Sequence, residues 1–293
     1  MKKSLVWFVF AFLILPSLAF GQNLVGESGD TRDVKFFAQT AVGEGWTATF
    51  QCVNRMEQPH LVGIYVFLFE PDGRRANAAD YVLVDDEGRT TPWEFFDEDG
   101  GGFNYAVNIV PDSPVGDYNM RTLRRKSPGF VVGWVAVKQD EENENVSCSQ
   151  TLRFNDGVGT NMASVLPAKI QPSYIPLVFA AAKDSQRTGI AVANPHREPI
   201  EVTFELRKPG GPLNGLRVVM TIPARGHLSK FWTELFPQYT QDPYFQKGQA
   251  VGALMKISFH RPDGTPMPLA VSVYDTLSTP AGFSFAPLSA VVR

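Results

Sequence analysis

Along most of this chain, apolar and polar positions alternate in short runs that Gly, Pro, Asn and Asp interrupt. Alternation puts one face of a run on a core and the other in water, which is the pattern of strands rather than helices. It predicts strands over Trp46–Asn54, Pro59–Phe69, Tyr81–Val84, Phe103–Val110, Tyr118–Leu123 and Gly129–Val137. Further on it predicts them over Thr188–Asn194, Pro199–Leu206, Leu216–Ile222, Val251–Ile257 and Leu269–Tyr274. β-Branched and aromatic residues fill these runs, as a pleated, half-buried surface favours. Only Ser229–Phe236 reads as helical: Pro237 stops it after a turn or two, and Phe231, Trp232 and Leu235 would plug one end of a sandwich. The fold class expected is all-β.

Part of the pattern occurs twice. Asn54 and Asn194 stand 140 positions apart, as do Pro59 and Pro199, and each following strand leads into a turn, Pro71-Asp72-Gly73 or Pro209-Gly210-Gly211. Val132-Gly133-Trp-Val-Ala-Val137 can be laid against Val251-Gly252-Ala-Leu-Met-Lys-Ile257. These identities point to a duplicated unit, with chance similarity between two strand pairs as the alternative. The stretch Leu166-Pro167-Ala-Lys-Ile-Gln-Pro172 brackets polar residues with two prolines and is the expected linker, dividing the chain into units 22–168 and 169–293. Charge divides the same way: residues 22–168 carry 12 basic and 22 acidic residues, a net of −10, whereas 169–293 carry 13 and 8, a net of +5.

The motifs Thr188-Gly-Ile-Ala-Val-Ala-Asn-Pro195, Ile222-Pro-Ala-Arg-Gly226, Glu234-Leu-Phe-Pro237, Gly252-Ala-Leu-Met-Lys-Ile257 and Pro268-Leu-Ala-Val-Ser-Val273 together resemble a secreted bacterial β-sandwich repeat. In the first unit, Asp97-Glu-Asp-Gly-Gly-Gly-Phe103 and Pro114-Val-Gly-Asp-Tyr118 look more like the closing hairpin of a bacterial immunoglobulin-like domain. Tyr118 would there be the corner tyrosine whose hydroxyl meets the backbone. The resemblance implies two tandem immunoglobulin-like β-sandwich domains used for adhesion, spacing or assembly. It brings no catalytic motif with it.

Residues 1–21 give the expected address. Lys2 and Lys3 precede an apolar run from Leu5 to Leu15, Pro16 breaks it, and Ala19 and Gly21 supply the small residues of a signal-peptidase site. The run is shorter than the roughly 20 residues of a membrane span. Secretion, or a periplasmic or cell-surface location, follows, with Gln22 as the mature N-terminus and no span after cleavage. A formal net charge of −3 offers no basic footprint for nucleic acid, and the local patch Arg121, Arg124, Arg125 and Lys126 lacks interleaved stacking residues.

An oxidising compartment changes the reading of the two cysteines. Cys52 shares strand parity with Ala48 and Phe50, and Cys148 with Leu152 and Phe154, so both sulfurs point inward and a disulfide is expected. The four histidines, His60, His196, His227 and His260, stand singly in or beside turns and read as solvated. Asp97 and Asp99 next to Gly100 offer oxygens for calcium but lack the later ligand positions of a calcium loop, so a solvated loop is the preferred reading and no other cofactor is implied. Trp93 and Phe96, beside that loop, could stack on a sugar face or plug a strand edge. No Gly-x-Ser-x-Gly, His-Glu-x-x-His or phosphate-loop motif occurs. The function expected is a non-enzymatic structural or binding module for an extracellular protein or glycan. The alternatives are a dedicated carbohydrate-binding protein and a hydrolase whose site is assembled from distant residues.

Overall fold

The computed structural model describes residues 34–54, 60–76, 79–97, 100–109, 120–139, 146–155, 157, 159–180, 186–208, 210–245, 251–279, 282–288 and 291–292. The signal segment 1–21, Tyr118 and Asp99 lie outside the described residues. Apart from one short helix and one 3-10 turn, the described elements are strands, and every pairing among the described strands is antiparallel. The all-β expectation holds.

The first ten strands are β1 (Val34–Val42), β2 (Trp46–Asn54), β3 (His60–Phe69), β4 (Tyr81–Val84), β5 (Trp93–Asp97), β6 (Gly100–Ile109), β7 (Met120–Arg125), β8 (Val131–Gln139), β9 (Val146–Asn155) and β10 (Thr160–Val165). They form two five-stranded sheets, β1-β8-β3-β6-β5 and β10-β9-β2-β7-β4. The strands that follow are β11 (Ile170–Gln171), β12 (Ser173–Ile175), β13 (Leu177–Ala180), β14 (Gln186–Ala193), β15 (Ile200–Lys208), β16 (Gly211–Ile222) and β17 (His227–Phe231). After the helix α1 (Trp232–Leu235) come β18 (Val251–His260), β19 (Leu269–Thr279), β20 (Gly282–Leu288) and β21 (Val291–Val292). These eleven are joined into one branched hydrogen-bonded network, in which β13 links β18 to β14 through the single pair Ala180–Arg187.

Two strand orders recur. The first half contains β1-β8-β3-β6 and the second β13-β18-β15-β16; the first contains β10-β9-β2-β7 and the second β20-β19-β14-β17. Eight strands therefore correspond in chain order and in neighbour, with β3 and β15 beginning at His60 and Ile200, 140 positions apart.

Side-chain parity distributes the apolar residues over three buried clusters. In β3, Ile64, Val66 and Leu68 enter a core between the two five-stranded sheets, together with Phe37, Phe50, Leu83, Leu123 and Val135. The opposite face of the same sheet, Phe67 and Phe69 with Val34, Phe36, Ala38, Trp134 and Ala136, is also buried, against Ala193 of β14 and Ala270 of β19. The third cluster lies within the second half, where Val202, Phe204 and Leu206 meet Ile190, Val192, Ile257 and Val273. Trp232 and Leu235 of α1 and the following Phe236 close it; of the three residues expected to plug it, Phe231 instead ends β17 outside this cluster.

The middle cluster is a junction with specific bonds as well as burial. Phe69 and Trp134 stack with ring centroids 4.1 Å apart, and the Trp134 indole donates to the Arg225 carbonyl at 2.8 Å. His227 donates its backbone N–H to the Pro71 carbonyl at 3.1 Å and its imidazole Nε2–H to the Ala38 carbonyl at 2.8 Å. Gly73, at φ +90°, lies so close to the 223–226 turn that a Cβ there would fall 2.1 Å from the Ala224 oxygen. Two turns singled out in the sequence, Pro71-Asp72-Gly73 and Ile222–Gly226, thus meet across the junction.

Cys52 and Cys148 are bonded. They face each other in register on the neighbouring strands β2 and β9, their Cα atoms 4.0 Å apart, inside the first core. The bridge joins neighbours of one sheet, whereas that of an antibody domain spans two.

Candidate functional site

Where the two halves meet, an open cleft of about 350 Å³ is left at one side of the junction. The first half contributes Gln39, Ala41, Trp46, Phe130 and Leu152; the second contributes Gly189, Ile190, Ser229, Lys230, Phe231, Glu234, Tyr274 and Thr276. Pockets at such unit boundaries, apolar with a few placed polar groups, are common small-molecule sites.

Local backbone chemistry sets the aromatic walls. Glu44 (φ 48°) and Gly45 (φ 91°) form a two-residue hairpin turn with both central residues left-handed, closed by reciprocal Gly43–Trp46 backbone bonds of 3.1 and 3.0 Å. That turn starts β2 at Trp46, whose ring stacks on Phe154 at 4.8 Å and lies 6.3 Å from Phe130. Gly43 abuts Gly129, where an added Cβ would lie 2.0 Å from the Gly129 oxygen, so the two turns seat Trp46 and Phe130 side by side. Phe130 is 42% exposed, the most exposed ring of the cleft.

Across the cleft, the Arg187 guanidinium lies 5.6 Å from the Phe231 ring centre, and the Phe231 N–H donates to the Glu234 carboxylate at 2.8 Å. Thr276 donates its hydroxyl to the Arg187 carbonyl at 2.8 Å. Tyr274 is buried, and burial raises its phenol well above the ordinary range, so it stays neutral. From the first half, β1 shifts register between Phe37 and Thr40, an irregularity that re-aims side chains, and Gln39 lies within it. The Gln39 Oε1 is buried at the cleft without a hydrogen-bond partner among the described residues. Its neighbour Thr40 accepts a bond of 2.6 Å from the Gln150 side chain.

The residues marked out by sequence lie elsewhere. Trp93 is half-buried and packs on the first core, edge-on to Phe103 at 4.9 Å. Its partner in that reading, Phe96, and the candidate calcium ligand Asp97 are described in backbone only, in a hairpin where Asp97 pairs with Gly100. Among the described residues no three His, Cys, Asp or Glu side chains are grouped to hold a metal ion. Asp85, which with Asp86 and Glu87 forms a second acidic run, is buried; burial opposes its charge, but hydrogen bonds from Arg89 outweigh it and hold the carboxyl below the usual range.

Two histidines correct the expectation of solvated rings. His227 is buried at the junction, and loss of water pushes its pKa down to about 4. His196 is half-buried with its Nε2 bonded to the Pro268 carbonyl at 2.7 Å, and burial lowers it too. The cleft residues escaped sequence reading because Trp46 looks like an ordinary strand start and Phe231, expected in a helical plug, instead ends β17, and only the docking of two distant segments brings them together. Compared with protein-family models, curated proteins and solved structures, the chain finds no match.

Proposed function

We propose that this chain is an exported, non-enzymatic binding module built from two tandem immunoglobulin-like β-sandwich units, and that it takes its ligand in the cleft at their junction. The observation that carries the reading is the cleft: aromatic rings from both halves line one opening, and buried bonds through Trp134 and His227 hold those halves together. A binding surface assembled from two units is only as well defined as the joint between them, and this joint is a packed core rather than a hinge. Corresponding strand orders support descent of both units from one repeat. The signal-like residues 1–21 and the Cys52–Cys148 bridge support export. Two of the polar groups near the cleft serve structure, Glu234 holding the Phe231 amide and Thr276 the Arg187 carbonyl.

The test is to immobilise residues 22–293 and screen them against extracellular proteins and glycans, together with a panel of hydrolase substrates. Saturable retention of a ligand, competed by the same ligand in solution, is expected. Turnover of a substrate with no ligand retained would favour the hydrolase instead.

A further inference from the structure

Resting on that reading, we infer that the cleft takes the end unit of a neutral carbohydrate. A sugar ring has an apolar face of C–H groups and a rim of hydroxyls, and it needs flat aromatic surface beside a few donors and acceptors. The cleft supplies both: Trp46 and Phe130 from the first half and Phe231 from the second give the rings. Lys230 and Ser229 give donors, and Gln39 Oε1 gives an acceptor that is buried and unsatisfied among the described residues. A buried carbonyl without a partner costs free energy, so a ligand hydroxyl that donates to it is selected over a group that cannot.

Other chemistries fit less well. An acyl chain would cover the rings but leave the Gln39 oxygen and the Lys230 ammonium unmatched. An anion would meet Lys230 but also the nearby Glu234 carboxylate on the same wall. Volume sets the length: about 350 Å³ is near the lower end of small-molecule sites, so the cleft suits the end of a chain rather than a long stretch of it.

Residues 22–293 are to be tested on an array of neutral and charged glycans, then by titration with the best ligand, alongside Phe130→Ala and Gln39→Leu. Phe130 is 42% exposed, so its truncation should leave the fold intact, which an unchanged melting temperature would verify. Expected are retention of a neutral glycan and affinity about tenfold weaker in each variant. Retention of no glycan, or of charged glycans only, overturns the inference, as does glycan binding that neither variant weakens. A protein or acyl ligand lost in Phe130→Ala would also overturn it while leaving the binding-module reading in place; absence of any ligand of any class would remove both.

Discussion

His227 gives the junction a pH dependence whose size follows from its burial. The ring donates to the Ala38 carbonyl from inside the interface, and its pKa falls from 6.5 in the unfolded chain to about 4 in the folded one. Protons therefore bind the unfolded state first. The stability associated with the neutral ring is complete above pH 6.5 and is lost as the pH falls towards 4. The loss is about 2 kcal/mol at pH 5 and about 3 kcal/mol at pH 4, because each pH unit between the two values is worth about 1.4 kcal/mol. Urea titrations of residues 22–293 at pH 7 and pH 5 measure it, with His227→Gln as the reference. Glutamine keeps an amide N–H for Ala38 and removes the titration, so carboxylates and His196, also lowered by burial, act equally in both proteins. The variant should be less stable at pH 7 yet lose about 2 kcal/mol less on going to pH 5. Parallel pH profiles for the two proteins would refute the reasoning.

Removing the disulfide with Cys52→Ala and Cys148→Ala together should lower stability by about 4–5 kcal/mol in the chain-entropy account, read as a fall in the urea midpoint. The native protein should show no thiol to alkylating reagents after unfolding without reductant. Gly73→Ala should cost more than about 1 kcal/mol, since its backbone is left-handed and Ala224 blocks a Cβ; Gly88→Ala, at φ +80° with nothing within 4 Å, should cost less, and equal melting shifts would contradict this. Millimolar calcium should raise the melting temperature no more than sodium at equal ionic strength. A larger rise that disappears in Asp97→Asn and Asp99→Asn would establish the acidic loop as a calcium site.

Most strands were legible because a sheet with one wet face writes its period of two into the sequence. Tyr81–Val84 and Trp46–Asn54 begin and end where alternation puts them. The junction was not legible for the complementary reason. Ile64-Tyr-Val-Phe-Leu-Phe69 and Trp134-Val-Ala-Val137 are continuous apolar runs, which a strand needs when both its faces are covered. Such a run says that a second covering exists without naming the partner, here the small residues Ala193 and Ala270. His227 was misread for the same cause, since a lone histidine beside a turn carries no mark of the surface that will close over it. The cleft depends on that closure too: Trp46 and Phe130 carried no mark of it, and Phe231 read as part of a helical plug rather than a cleft wall.

The faces that meet at the junction differ in composition from the corresponding faces left open. Each unit has two outward sheet faces, and at the junction the β1-β8-β3 face of the first meets the β14-β19 face of the second. At the offset of 140, Tyr65 and Phe67 of the covered face correspond to Glu205 and Arg207 of the second unit, which are part-exposed and form an ion pair of 3.0 Å. Likewise Gly189 and Ala191, small enough to let the sheets approach, correspond to Thr49 and Gln51 of the first unit, where Thr49 bonds the Thr122 hydroxyl at 2.9 Å. Head-to-tail packing of identical units does not close on itself and would run on into a fibre. Here the two open faces are mixed: beside those polar groups they carry the exposed Leu177, Leu254, Val53 and Met120, so a further unit docking there would have to desolvate charged and hydroxyl groups along with apolar ones. The polar substitutions on the open faces thus weigh against a further copy stacking there, and under the proposed binding reading the ligand is kept to the junction cleft.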